Sequence, residues 1–156
     1  MNEDKNQIIR YEIFLKGELV DLCIPSDTAI EEDGWAEWFN NTEHLQATGH
    51  GVFPHYRSSQ QKILESLASD QSKIVLLICQ KFSQRAFGVV SLQNINLQNK
   101  SAEIAINASS KSDIAIHPVS TLEAMALITQ HGFEQLGLNR IYGGQAFPLL
   151  ESWNRA

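Results

Sequence analysis

The spacing with the clearest chemical meaning in this chain is Ser120-x-x-Glu123. A serine hydroxyl and a glutamate carboxylate at that spacing can each accept a backbone N–H, so it predicts a capping box and a helix that begins at Thr121. Gly137 stands where a left-handed residue can end the helix. The apolar residues between them recur at three- and four-residue steps, and the expected buried face comprises Leu122, Met125, Ala126, Thr129, Phe133 and Leu136.

A second group with chemical potential is the histidines of residues 40–57, namely His44, His50 and His55. Imidazoles bind zinc when their spacing places them on one helix face or one hairpin, usually with cysteine or carboxylate partners. These histidines match no such spacing, so we expect no metal site. The glycines, asparagines and proline of the segment favour an irregular loop, which could carry a binding function.

Composition narrows the class of protein. The 156 residues are the size of one domain, with residues 1–7 as a polar tail. Lys and Arg number 12 against 18 Asp and Glu, a net charge of −6, which disfavours a nucleic-acid partner. The chain shows neither an export leader nor a membrane-spanning apolar run, so a cytoplasmic protein is expected. Cys23 and Cys79 have no ligand-spaced neighbours, which indicates reduced, partly buried thiols, and no pattern supports the alternative of a catalytic thiol.

Hydrophobic spacing divides the chain into strands and helices that alternate as in an α/β fold. The expected helices cover residues 28–39, residues from Ser58 or Ser59 to about Ser69, and the capped helix from Thr121. The polar connections near residues 81–85 and 94–100 are short, which predicts an antiparallel meander among three of the strands. The expected strands are residues 8–15, 19–24, 74–79, 86–92, 102–106 and 140–145.

Aromatic residues cluster in the first expected helix. Trp35, Trp38 and Phe39 stand at i, i+3 and i+4, a spacing that most often serves core packing and less often a ligand site. The loop that follows begins at Asn40 and ends beside Tyr56. We therefore take Trp38, Asn40 and Tyr56 as candidates for binding a substrate.

Three stretches of the chain together resemble the GNAT superfamily of acetyl-CoA-dependent N-acetyltransferases. The likeness is strongest over residues 86–145 and is closest to the branch that acetylates ribosomal-protein N-termini and sugar amines, whose early helix is tryptophan-rich. It implies a central mixed, mostly antiparallel sheet flanked by helices. The stretches are Ala102-Glu103-Ile104, Glu123-Ala124-Met125 and Phe133-Glu134-Gln135-Leu136-Gly137-Leu138-Asn139-Arg140-Ile141.

The resemblance also implies an activity and its residues. The expected reaction transfers acetyl from acetyl-CoA to a primary amine of a small molecule, an amino sugar or a protein N-terminus. Glu103 matches the glutamate that acts as general base in histone-type members, although a structural role on its strand is an equal alternative. Backbone N–H groups at the helix start would hold the coenzyme diphosphate. The expected coenzyme-binding residues are Ile104, Ile106, Val119, Ser120, Thr121 and Leu122.

Two departures from the family pattern leave a second interpretation open. The family's loop before this helix carries glycines where this chain has Pro118 and Ser120. A degenerate, non-catalytic binding or assembly module, or a fragment, is therefore the alternative to an enzyme. The family also continues into a C-terminal hairpin. We expect the last strand to be covered by residues 147–153 or by a homodimer with Trp153 or Tyr142 near the contact.

Overall fold

A computed structural model describes residues 9–40, 53–109 and 119–144 of the chain. Six strands form one sheet in the order β1-β2-β3-β4-β5-β6. The strands are β1 Ile13–Lys16, β2 Val20–Cys23, β3 Ile74–Gln80, β4 Ala86–Asn96, β5 Ser101–Ala108 and β6 Arg140–Tyr142. The helices are α1 Asp27–Glu31, α2 Trp35–Trp38, α3 Arg57–Leu67 and α4 Ser120–Glu134.

The sheet is mixed but mostly antiparallel. Strands β1 to β5 pair antiparallel in chain order, and β6 pairs parallel with β5 after the chain crosses over through α4. This arrangement confirms the expected α/β fold and the meander of β3, β4 and β5. Within the described ranges, no helix has the length and apolar character needed to cross a membrane.

Two cores form on opposite faces of the sheet, because successive strand residues point to opposite sides. On one face α4 packs through Ala124 and Ile128 onto the strands. On the other face α1 and α2 pack onto the strands, and Trp35 and Trp38 of α2 lie in this second core. Cys23 and Cys79 lie in this second core as free thiols, and contact with Cys23 together with burial raises the pKa of Cys79. The expectation of reduced thiols is confirmed, and both cysteines are more fully buried than expected.

The alternation of Ile9, Tyr11, Ile13 and Leu15 predicts a half-buried strand over residues 8–15, and this prediction was wrong in the start of the strand and in its buried side. Strand β1 begins only at Ile13, and Ile9 is exposed. The pairing with β2 shifts register between Ile13 and Leu15, which breaks the simple alternation that the sequence suggested. Tyr11 is buried, but its place is fixed by a hydrogen bond from its hydroxyl to Asp33 rather than by a strand ladder.

The prediction of one helix over residues 28–39 was also wrong, because Asp33 and Gly34 divide it into α1 and α2. Gly34 has a φ of +79°, a left-handed conformation that glycine adopts without strain. The Asp33 side chain is fully buried and accepts hydrogen bonds from Arg10 Nη2 at 2.7 Å, the Tyr11 hydroxyl at 2.6 Å and the Ala86 N–H at 2.9 Å. We call these four residues the Asp33 cluster.

The buried face of α4 differs from the expected one. Its buried residues are Ser120, Ala124, Ile128 and Gly132. Leu122 and Phe133, which were expected to be buried, are 40% and 44% exposed. Small side chains let the helix approach closely, and a Cβ on Gly132 would come within 2.8 Å of Ile141 Cδ1. The expected glycine stop is confirmed, because Gly137 has a φ of +65° and follows the helix end.

Candidate active site

Strand β5 continues past the end of its ladder with β6, and we call the region beside this unpaired edge the crevice. The parallel ladder joins Ser101 to Arg140, Ala102 to Ile141 and Glu103 to Tyr142. Beyond Glu103, β5 continues to Ala108, and no strand of the described ranges pairs with that edge. Ligands of α/β sheets bind in the crevice outside the carboxyl ends of parallel strands. Helix α4 connects β5 to β6 and so runs antiparallel to both, which brings its N-terminus to this end of the sheet.

The start of α4 offers backbone donors to this crevice. Val119 is the N-cap residue, and no side-chain hydrogen bond caps the helix there. The N–H groups of Ser120, Thr121 and Leu122 belong to the first turn, where an α-helix has no internal partners for them. Ser120 is buried, and its side chain faces the interior of the protein. Of the predicted coenzyme-binding residues on the helix, Ser120 can therefore contribute its N–H but not its hydroxyl.

The capping-box prediction was wrong because Glu123 binds another segment. Its carboxylate accepts hydrogen bonds from the N–H groups of Glu18 at 2.7 Å, Leu19 at 2.8 Å and Val20 at 2.8 Å. Burial alone would raise the pKa of Glu123, but these donors outweigh it and lower that pKa below its ordinary value. The turn between β1 and β2 thus fixes the N-terminal turn of α4.

Gly17 allows this close approach of the turn to α4. A Cβ at Gly17 would collide with the carbonyl oxygen of Val20 and come within 2.9 Å of Leu127 Cδ1. A glycine between two expected strands, as at position 17, predicts a turn and nothing about its partners. The contact with Glu123 spans more than a hundred residues, so no local pattern could have shown it.

Glu103, the predicted general base, lies at the last paired position beside the crevice. Its Oε2 accepts a hydrogen bond from Asn94 Nδ2 at 3.0 Å, and within the described ranges its Oε1 has no partner. Asn94 has a φ of +50°, in the stretch where the register between β4 and β5 shifts. Asparagine tolerates that conformation better than most residues. The irregular strand therefore orients the Asn94 amide toward the carboxylate, a contact that sequence reasoning missed.

The two predicted coenzyme-binding isoleucines contribute backbone rather than side chains to the crevice. Ile104 and Ile106 point their side chains toward α4, where they pack against the first core. Their N–H and C=O groups belong to the β5 segment that extends past the end of the β6 ladder. A bound extended group can add to such an edge through main-chain hydrogen bonds.

The candidate substrate-binding residues have three different environments. Trp38 is 7% exposed and packs in the second core, as the packing interpretation expected. The Asn40 side chain makes two hydrogen bonds of 2.8 Å with the backbone of His55 and so joins the two ends of the loop between them. Tyr56, the N-cap residue of α3, is 61% exposed.

Two of the three histidines considered as metal ligands, His44 and His50, lie outside the described ranges. Across the described part of the chain, no group of His, Cys, Asp or Glu could hold a metal ion. His55 is described, and its ring lies against that of Phe39 with a centroid distance of 5.1 Å.

Comparison with known proteins gives matches at the level of structure. No protein-family model and no curated protein sequence matches the chain. Spermidine N-acetyltransferase from Vibrio cholerae, solved with CoA and spermine, is similar with a TM-score of 0.74 and 14% identity over 88% of this chain and 78% of that one. The microcin C7 self-immunity acetyltransferase MccE, solved with acetyl-CoA and AMP, has a TM-score of 0.68 and 17% identity over 88% and 76%.

A third similar structure carries the family name itself. It is an acetyltransferase of the GNAT family from Bacillus anthracis, with a TM-score of 0.66 and 14% identity over 84% of this chain and 72% of that one. Likeness at these identities establishes the fold. The chain therefore has the fold of the GNAT acetyltransferases.

Proposed function

We propose that this protein is an acetyl-CoA-dependent N-acetyltransferase that acetylates a primary amine of a small molecule, an amino sugar or a protein N-terminus. The observation that carries the proposal is the end of the β5–β6 ladder at Glu103. Glu103 stands where the unpaired edge of β5 begins, and that edge runs from there toward the end of the sheet where α4 starts. Two similar structures contain CoA or acetyl-CoA.

The backbone of the crevice fits the two chemical parts of the coenzyme. The N–H groups of Ser120, Thr121 and Leu122, with the positive end of the helix dipole, suit a diphosphate. The backbone of Ile104 and Ile106 suits the amide groups of the coenzyme arm, which would extend the sheet as an added strand does. Val119, exposed at the helix start, would cover the apolar part of the arm.

Acetyl-CoA would supply the acetyl group as a thioester. Glu103 then takes the proton that the amine must lose before or during attack, directly or through one water. Its Oε1 faces no other donor of the described ranges, while Asn94 holds Oε2 and so fixes the carboxylate. Tyr56 is available to contact the acceptor, Asn40 would shape the loop beside it, and Trp38 would support that wall from the core.

A release assay for the free CoA thiol tests the proposed function. Purified protein with acetyl-CoA is given a panel of small amines, amino sugars and peptides with free N-termini. We expect thiol release that requires a primary amine and is absent with tertiary amines, which cannot accept the acetyl group. Saturable acetyl-CoA binding without release for any acceptor class would favour the non-catalytic module. The observation that supports this alternative is the buried Ser120, at a position where the resembled family usually has glycine or alanine.

We also propose a homodimer that uses the β6 end of the sheet. Tyr142 on β6 is 38% exposed, and the guanidinium of Arg140 lies 5.1 Å from the centroid of its ring. Trp153, the other residue expected near the contact, lies outside the described ranges. Sedimentation at micromolar concentration should give a dimer mass, and a monomer at that concentration would contradict the proposal.

A further inference from the structure

The face of β5 that points away from α4 is polar and small, in contrast to its other face. Glu103, Ala105 and Asn107 alternate along it, and Ser91 of β4 lies opposite Ala105. All three β5 residues are partly exposed, while Ser91 is buried. We call these four residues the β5 floor. The central side chain of the floor, Ala105, is small, with a carboxylate at one end and a carboxamide at the other.

Asn107 Oδ1 is the unusual atom of this floor. It is buried and has no hydrogen-bond partner among the described residues. Burying a carbonyl oxygen without a partner costs free energy, and native structures leave few such atoms. Ser26 Oγ, ahead of α1, is the other described atom of this kind. An unpaired, buried acceptor on a side chain that is partly exposed calls for a donor, and a ligand that enters from the exposed side of Asn107 would supply it.

The sheet around Asn107 shows that the amide is not required for packing. Cys23, Leu77, Val89 and Asn107 form one row across four strands through their register. The first three are buried members of the second core, so an apolar residue at position 107 would continue the row.

The backbone at this position is tightly held. A Cβ on Gly88 would come within 2.7 Å of the Asn107 carbonyl oxygen, so β4 and β5 are in close contact there. The Asn107 amide is therefore attached to a rigid part of the sheet, as a group that positions a ligand should be.

We infer that Asn107 Oδ1 accepts an N–H from the acceptor substrate, and that the acceptor carries a second N–H donor besides the amine that is acetylated. This inference rests on the proposed function. Glu103 and Asn107 are four residues apart on one strand face, a separation of about 13 Å between Cα atoms. A reactive amine near Glu103 and a second amine or amide N–H near Asn107 describe an extended diamine or an aminoacyl amine. Asn107 is then a specificity residue, because it contacts the substrate away from the reacting atoms.

Asn107→Leu tests the inference by acetylation of linear diamines and of monoamines of the same length. The ratio of kcat/KM for the diamine to kcat/KM for the monoamine should fall about tenfold, the effect of one lost hydrogen bond. The melting temperature should stay the same or rise, since an unpaired buried carbonyl is removed. Asn99→Leu, in the exposed turn after β4, is the matched control and should leave the ratio unchanged.

Several outcomes would overturn the inference. An unchanged ratio of kcat/KM values for diamine and monoamine shows that Asn107 does not bind the second N–H donor. If Asn107→Leu binds acetyl-CoA more weakly than wild type, the Asn107 side chain contacts the coenzyme arm instead. If the variant melts at a lower temperature and the ratio is unchanged, the side chain serves the stability of the fold. Calorimetry of a linear diamine with wild-type protein and Asn107→Leu needs no turnover, so it separates this inference from the proposed function. Equal affinities, or no binding to the wild type, overturn it even if the protein acetylates nothing.

Discussion

Two carboxylates of this chain, Asp33 and Glu103, have opposite relations to their surroundings. The Asp33 side chain is fully buried, and donors from Arg10, Tyr11 and Ala86 reach its oxygens. Glu103 is partly exposed and has one described donor, Asn94. A buried charge is stable only when it is fully paired, whereas a general base must keep an oxygen available. The comparison fits a structural role for Asp33, and among the described residues it leaves one oxygen of Glu103 available for the proposed role as a base.

Removing the Asp33 carboxylate is the strongest test of the structural side of this comparison. In Asp33→Ala, the Tyr11 hydroxyl and the Ala86 N–H lose their partner in a buried place, and Arg10 keeps only its ion pair with the more exposed Glu32. The free energy of unfolding should fall by about 3 to 5 kcal/mol, measured by urea denaturation. Tyr11→Phe removes one donor and should cost about 1 kcal/mol. Equal midpoints for Asp33→Ala and wild type would show that the cluster is not a structural anchor.

Replacing the Glu103 carboxylate tests the catalytic side. Glu103→Gln keeps the shape and can still contact Asn94, but it cannot take a proton. We expect kcat at neutral pH to fall about a hundredfold while the Kd for acetyl-CoA and the melting temperature stay close to wild type. Glu65→Gln on the exposed surface of α3 serves as the control. Full activity of Glu103→Gln would assign Glu103 to a structural role like that of Asp33.

Glu123 is a third carboxylate to compare with Asp33 and Glu103. It fixes α4 through hydrogen bonds although it is not fully buried. Glu123→Gln removes the charge that three N–H donors face, and should lower the free energy of unfolding at neutral pH by about 1 to 2 kcal/mol. The folded state lowers the pKa of Glu123, so its stabilisation is present above the ordinary carboxyl range and is lost as the pH falls through the lowered value. The stability difference between wild type and Glu123→Gln should therefore shrink in acid. A difference that does not change with pH would contradict the hydrogen-bonding role.

Local patterns predicted the elements, and long-range contacts decided where the predictions failed. Apolar runs located β3, β4 and β5, and Gly137 ended α4 as expected. The Ser120-x-x-Glu123 spacing was misleading, because the β1–β2 turn competes for the same carboxylate. The expected helix over residues 28–39 is divided at Asp33, whose hydrogen-bond partners are distant in sequence. Such partners are fixed only when the sheet forms, so spacing along one segment cannot reveal them.

In the candidate site, too, the sequence predicted a residue with a local signal and missed residues whose positions depend on strand pairing. Glu103 was found through a resemblance of the residues around it, and the structure places it at the end of the β5–β6 ladder. Asn94 and Asn107 were missed, because single asparagines in strands carry no local signal. Their roles depend on cross-strand register, which joins β4 to β5 on one face of the sheet.

Calorimetry with acetyl-CoA tests the central claim, that the start of α4 and the edge of β5 bind the coenzyme. Leu122 is exposed in the first turn of α4, where a new carboxylate should favour the helix but repel a diphosphate. We expect wild type to bind acetyl-CoA saturably and Leu122→Asp to bind at least about tenfold more weakly, a loss of about 1.4 kcal/mol. Ala126→Asp places the same charge one turn further along the exposed side and should retain wild-type affinity. No binding to the wild type, or equal affinity for wild type and Leu122→Asp, would contradict the account.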